Sequence, residues 1–332
     1  SNSMKEVVGS DQAKEPIPLY KLLAAHWGVS LPVRTVNGGV NKGTCQVGDT
    51  WWLSRYDLSS ADRALREAHL CRAIAASDRN GQPPLAVPAT VPTQSGEDVL
   101  VANGAAWRIT EHVPGESPDP TDLTLYPVLA RGLSTFHNIA GSLDAAHAVT
   151  ETSLLEDLEH HIALLTNAIS SRGTGNDHTL LEEAQKALEP SLPRLHAEPK
   201  QLIHGDFSPP NLRISLLQNR TRRMTGVLDL EYASWDPVIL DVATLITTLI
   251  MRSGSAPPLS CVEETLRAYQ NAATFAFDAS LLPAALLARK IDSYFHHRNR
   301  LESGLGSEEV FRRQATQLQT LLQFARSLPR SF

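Results

Sequence analysis

Three cysteines in 332 residues, Cys45, Cys71 and Cys261, are too few and too widely spaced for a zinc pattern or a disulfide framework. The setting this implies is a reducing one, the cytoplasm, with each cysteine a small apolar residue of the interior. No apolar run reaches the roughly 18 residues that a membrane helix requires. The best run, Val238 to Met251, is interrupted by Asp241 and reads as a buried core helix. A basic surplus is lacking too: the formal net charge is −6, which argues against a general nucleic-acid binder. Ser1-Asn2-Ser3 ahead of Met4 reads as an expression scar, and the first residues lack the basic and apolar regions of a signal peptide. Neither internal repeats nor low-complexity tracts occur. What is present is an ordinary globular composition, 42% hydrophobic and 20% charged, long enough for one large domain or two lobes.

Along the chain, residues 17–27 carry apolar positions at helical spacing. Val33 to Val36, Thr44 to Val47 and Trp51 to Tyr56 read as strands, separated by Asn37-Gly38-Gly39-Val40-Asn41-Lys42-Gly43 and by the Gly48-Asp49 turn. From Ser60 onward, ADRALREAHLCRAIAAS is an amphipathic helix that ends before Asn80-Gly81-Gln82-Pro83-Pro84. Two more strands, near 98–102 and 106–113, flank the Asn103-Gly104 turn. After Pro114-Gly115 the character changes to long helices near 123–137, 154–170, 179–188, 238–251, 262–277, 280–300 and 307–328.

The chemistry concentrates between Leu202 and Glu231, which reads LIHGDFSPPNLRI, a short polar stretch, then TGVLDLEY. Prolines 209 and 210 forbid a helix in the loop. Leu212 to Leu217 and Gly226 to Leu230 read as two short strands joined by the turn 218–225. That hairpin returns Asn211 and Asp229 to the side of Asp206. One group to orient a hydroxyl and hard oxygen ligands for Mg²⁺ are what phosphoryl transfer needs.

His204-Gly205-Asp206, Asn211 and Leu228-Asp229-Leu230-Glu231 resemble the catalytic core of the aminoglycoside phosphotransferase/choline kinase-like family. Trp235-Asp236-Pro237…Asp241-Val242-Ala243 is similar to that family's following segment. The resemblance implies an α+β, bilobal protein-kinase-like fold. Residues 1–113 would form a small antiparallel-sheet lobe that binds nucleotide, and residues 114–332 a larger, mainly helical lobe. Asp206 would be the catalytic base, with ATP and Mg²⁺ as cofactors. Asn211 and Asp229 would hold the metal, and Glu231 would be either a second ligand or a group behind one. His204 reads as a brace for the loop, and Asp241 as a cap or brace.

In the small lobe the resemblance assigns Gly39, Asn41 and Lys42 to a phosphate-covering loop, although a plain glycine hairpin gives the same pattern. This is not a Walker A motif, since the order is Lys-Gly-Thr and a strand follows. A cation for the phosphates is expected directly after Leu53, where Ser54 stands. Arg55 is the candidate one position later, but adjacent strand residues face opposite sides, so it serves only with a bulge or shifted register. Lys42 is the alternative. Glu67 would pair with that cation, and Glu111 and Val113 would present backbone groups to adenine.

The acceptor is the least legible part. Residues 114–200 hold 13 acidic and 5 basic residues. That favours a cationic small-molecule acceptor such as an amino sugar or amino alcohol, although solvated helix faces give the same count. The segment Tyr294 to Arg300 reads as a helix face at the edge of the cleft. Homoserine kinase-like and protein kinase activities are the rivals among enzymes, and the latter lacks an Ala-Pro-Glu-like anchor. Ser54 at the cation position raises a further rival, a nucleotide-binding pseudokinase with little turnover.

Overall fold

The computed structural model describes residues 4–6, 15–35, 43–79, 81–166, 175–252 and 259–329. Its N-terminal part is a seven-stranded sheet of β1 (Met4–Glu6), β2 (Val33–Thr35), β3 (Gly43–Val47), β4 (Trp51–Asp57), β5 (Thr90–Val91), β6 (Val99–Ala102) and β7 (Ala105–Glu111). The order is β1-β6-β7-β4-β3-β2, with β5 also on β7, and every pairing but β1–β6 is antiparallel. Asn103 and Gly104 both take positive φ, 53° and 65°, the conformation a two-residue hairpin requires.

Helix α1 (Leu19–Trp27) covers one face of the sheet, packing Leu22, Leu23 and Trp27 against Leu53, Trp107 and Ile109. Helix α2 (Ala61–Ala76) covers the other, where Ala61 and Ala64 meet Tyr56, Val99 and Ala106. Further along α2, Leu70, Cys71 and Ile74 join the main core of the C-terminal part. Their spacing turns one stripe of this helix inward.

That C-terminal part contains α3 (Tyr126–Ala140), α4 (Leu154–Thr166), α5 (Gly175–Leu188), α6 (Leu192–Ala197), α7 (Ile239–Arg252), α8 (Leu259–Ala272), α9 (Leu282–Glu302) and α10 (Glu308–Ser327). Helix α9 has eleven buried residues and packs against α4, α5, α7 and α10. Two small ribbons sit beside the helices. One pairs β8 (Lys200–Ile203) with β11 (Ser234–Pro237), and the other pairs β9 (Leu212–Leu216) with β10 (Arg222–Val227). No helix among the described residues is long and apolar enough to cross a membrane.

Three local expectations need correction. The second strand of the β9–β10 ribbon is Arg222–Val227 rather than Gly226 to Leu230. Asn219 Oδ1 closes an early turn on the Thr221 N–H (3.1 Å), so the chain reverses sooner. Asp229, at φ 57°, lies beyond the strand. The two prolines do permit a single 3₁₀ turn, Pro209–Asn211, because they occupy its first positions, where no N–H is needed. All three cysteines are free thiols, but only Cys71 is buried; Cys45 and Cys261 are half-buried.

Candidate active site

The loop after β8 is held at its backbone. Asp241, buried in the first turn of α7, accepts from the N–H of His204 (2.8 Å) and of Gly205 (2.9 Å). The same carboxylate meets His137 Nε2 at 2.7 Å, and His137 Nδ1 meets the Tyr269 hydroxyl at 2.8 Å. Burial alone would raise the Asp241 pKa, but the His137 hydrogen bond and charge outweigh it and hold it below the usual carboxylate range. From α9, Arg289 donates to the Gly205 carbonyl (2.9 Å) and to Thr244 Oγ1 (3.1 Å). Gly205 has φ 86°, and a side chain there would run into the Tyr232 carbonyl, so glycine is required.

His204 is fully buried and uses both ring nitrogens. Its Nδ1 accepts from the Asp206 N–H (3.1 Å), and its Nε2 donates to the Leu228 carbonyl (2.7 Å). Neither nitrogen is left for proton transfer, so this side chain braces the loop. Asp206 is thereby aimed into the cleft, where Asn211 Nδ2 donates to its Oδ2 (3.0 Å) and to its carbonyl (2.9 Å). Burial pushes the Asp206 carboxyl up to about 6, with the nearby Asp229 charge adding to the effect.

Asp229 and Glu231 follow β10 on a loop, so strand alternation does not bring them together. They converge because Asp229 is left-handed, and they gather with Glu67 of α2, each offering a carboxylate oxygen within 4.8 Å of the others. Three close carboxylates repel one another unless a cation lies among them. The donor set, hard oxygens with the Asn211 amide nearby, suits Mg²⁺. Glu67 belongs to this group by geometry, a second aspect of that residue the sequence did not reveal.

Asp206, Asn211, Asp229 and Glu67 line a cleft of about 1180 Å³ between the sheet and the helices. Thr110, Glu111, His112 and Val113 also line it, and Trp52 Nε1 donates to His112 Nδ1 (3.2 Å). Gly39, Asn41 and Lys42 lie outside the described residues.

Arg55 takes a different place from the one expected. The β4–β7 register runs without a bulge, pairing Arg55 with Trp107 and Ser54 with Arg108. Trp107 belongs to the core beneath α1, so Arg55 points to that side; it is about half exposed and pairs with Asp57 at 3.5 Å. The partner of Glu67 is Arg108, whose guanidinium lies 3.3 Å from Glu67 Oε1, with the Tyr56 hydroxyl 3.2 Å from Oε2. Sequence reasoning missed Arg108. Its signal was a charge in the middle of an apolar strand, AAWRITE, at the same parity as Thr110.

Fewer acidic residues reach the cleft than the charge count suggested. Of the 13 acidic residues in 114–200, Glu151 and Asp157 line the cleft. Asp292 of α9 joins them from outside that stretch, together with His296 and His297 of the anticipated cleft-edge segment. Burial raises the Asp157 pKa, and the Asp292 charge adds to it.

A family model described as "Phosphotransferase enzyme family" matches residues 32–280, well over half of the 332. The chain belongs to that family. As a phosphotransferase it is a kinase with a hydroxyl acceptor, and its bilobal, protein-kinase-like α+β fold is shared with solved relatives. The GDP and kanamycin complex of APH(2″)-IIia is 16% identical, covering 93% of this chain and 98% of that one with a TM-score of 0.68. The microcompartment-associated aminopropanol kinase is 17% identical, covering 93% and 96%, with a TM-score of 0.66. Amicoumacin kinase, in complex with AMP-PNP, Ca²⁺ and its ligand, is 16% identical, covering 92% of each chain with a TM-score of 0.63. Among curated proteins no sequence matches.

Proposed function

We propose that this phosphotransferase moves the γ-phosphoryl group of ATP to a hydroxyl of a small molecule that carries an amino group. The observation that carries the reading is the placement of Asp206 and Asn211, on a loop held by Asp241 and Arg289, in one cleft with Asp229. The acceptor hydroxyl would donate to Asp206. Its oxygen attacks the γ-phosphorus, the bond to the β–γ bridging oxygen breaks, and ADP leaves while the proton passes to the carboxylate. Asn211 and Asp229 would hold Mg²⁺, with Glu231 beside them, and the metal would neutralise charge on the phosphate oxygens. Glu111 and Val113 would offer backbone groups to adenine. Gly39, Asn41 and Lys42 would cover the phosphates. The lobes would divide at Val113, and the three free thiols fit a reducing cytoplasm.

Asp157 and Asp292, both lining the cleft, support an ammonium group on the acceptor. Arg63 and Arg66 of α2 line the same cleft and support a second reading, a homoserine kinase-like enzyme whose acceptor also carries a carboxylate. A panel separates the two: amino sugars, amino alcohols, hydroxy amino acids and neutral polyols, followed by acceptor-dependent ADP release. Turnover confined to the amino-bearing members is expected. Turnover on neutral polyols alone would sink the amino requirement.

A further inference from the structure

Ser54 stands where kinases of this fold are expected to carry the cation that grips the nucleotide's phosphates, and Arg55 is turned to the other face. We propose that Arg108, on the neighbouring strand β7, supplies that cation across the strand pair. The inference rests on the ATP reading above and assigns it a residue.

The register makes the substitution possible. On the cleft face a row runs across three strands, Thr44 of β3 opposite Ser54 of β4, and Ser54 opposite Arg108 of β7. Two short side chains precede a long one. A lysine at Ser54 and the arginine at 108 would compete for one space, whereas serine leaves it to the guanidinium. Burial and partners then aim the group. Arg108 is 1% exposed and lines the cleft. One terminal nitrogen lies 3.3 Å from Glu67, and Nε donates to Thr90 Oγ1 (3.0 Å).

The other terminal nitrogen, NH2, is buried and makes no hydrogen bond of good geometry, and the nearby Tyr56 hydroxyl engages the guanidinium only loosely. A poorly satisfied donor pair on a buried cation is costly and leaves room for a better acceptor. A guanidinium matches phosphate oxygens with its planar fork. Burial alone would weaken the charge, yet Tyr56 and Glu67 beside it more than offset that and keep Arg108 protonated. Glu67 thus sits between Arg108 and the carboxylates Asp229 and Glu231. The phosphate grip and the metal site become one connected unit. On this account Ser54 does not mark a disabled kinase.

The test is calorimetric binding of Mg·ADP and, separately, of adenosine to the full chain. Arg108→Met should weaken Mg·ADP by about 10- to 100-fold while adenosine stays within about twofold. Ser54→Lys combined with Arg108→Met should recover most of the loss, because a cation from β4 then reaches the vacated space. Arg55→Ala should leave both ligands within about twofold.

Should Arg108→Met fail to melt cooperatively, the double variant and Arg108→Lys take its place, and both should bind Mg·ADP more tightly than any folded variant lacking a cation there. Unchanged Mg·ADP affinity in Arg108→Met overturns the proposal. So does a parallel loss of adenosine, which would make Arg108 a support for cleft shape only. If the wild type binds neither ligand, the ATP reading falls and the proposal with it.

Discussion

Asp241 bears on the chemistry without touching it. Its two oxygens accept from two consecutive loop amides and from His137, and through them it fixes the direction of Asp206. Replacing it with Asn would turn an N–H group toward donors that need an acceptor. Asp241→Asn should lower unfolding free energy by about 3 kcal/mol, the range for breaking a buried pair. The pH dependence has a definite sign. The folded pKa is depressed, so the stabilisation is present above the ordinary carboxylate value near ~3.9 and is lost as pH falls through the lowered value. Urea melts of both proteins should therefore differ by a constant amount near neutrality and converge in acid. A gap that is unchanged in acid would mean the charge is not what holds the loop. At this scale the sequence was readable where spacing along the chain sufficed, as for His204, Asp206 and Asn211. It was silent where the partner depends on register between strands, which is why Arg55 looked eligible and Arg108 did not.

Among the elements, the loop after β8 and helix α9 carry the most consequence. Gly205 combines a left-handed φ with contact to the Tyr232 carbonyl, so Gly205→Ala brings strain of about 1–2 kcal/mol plus a steric displacement. The expected result is a lower melting temperature and a loss of phosphoryl transfer larger than any loss of nucleotide affinity; transfer at the wild-type rate would show the loop to be adaptable. On α9, burial first and His297 second push His296 down to about 4, with Arg300 and Arg63 acting the same way and Asp292 opposing. A base with a depressed folded pKa contributes full stability above its unfolded value of about 6.5 and loses it as pH falls toward the folded one. Thermal stability should therefore decline between those limits, and His296→Asn should flatten part of the decline. If the variant tracks the wild type throughout, the imidazole is not buried neutral. The helices themselves were legible from apolar periodicity. The end of β10 was not, because no local pattern marks Asp229 as left-handed.

For the whole molecule, α2 is the tie: its first turns pack on the sheet, its later ones on the helical core, and Glu67 between them meets the metal-side carboxylates. Ligand in the cleft therefore touches both parts at once. Mg·ATP at 100 times its dissociation constant should stabilise the chain by about 2.7 kcal/mol, read as a rise in melting temperature. Omitting the metal should remove most of that rise. The two-part architecture was evident in the switch from short strands to long helices near Pro114, since that follows from composition and period alone. Which acidic residues line the cleft depends on long-range packing such as that of α4 against α9, so only two of those counted in 114–200 reach it. The most direct measurement is transfer of γ-labelled phosphate from Mg·ATP to an acceptor panel by wild type and by Asp206→Asn. The account predicts label on an amino-bearing hydroxyl compound with the wild type. With Asp206→Asn it predicts a loss of about 10²- to 10⁴-fold while Mg·ADP binding persists. Equal labelling by both proteins would contradict it, as would a wild type that binds Mg·ATP and labels nothing.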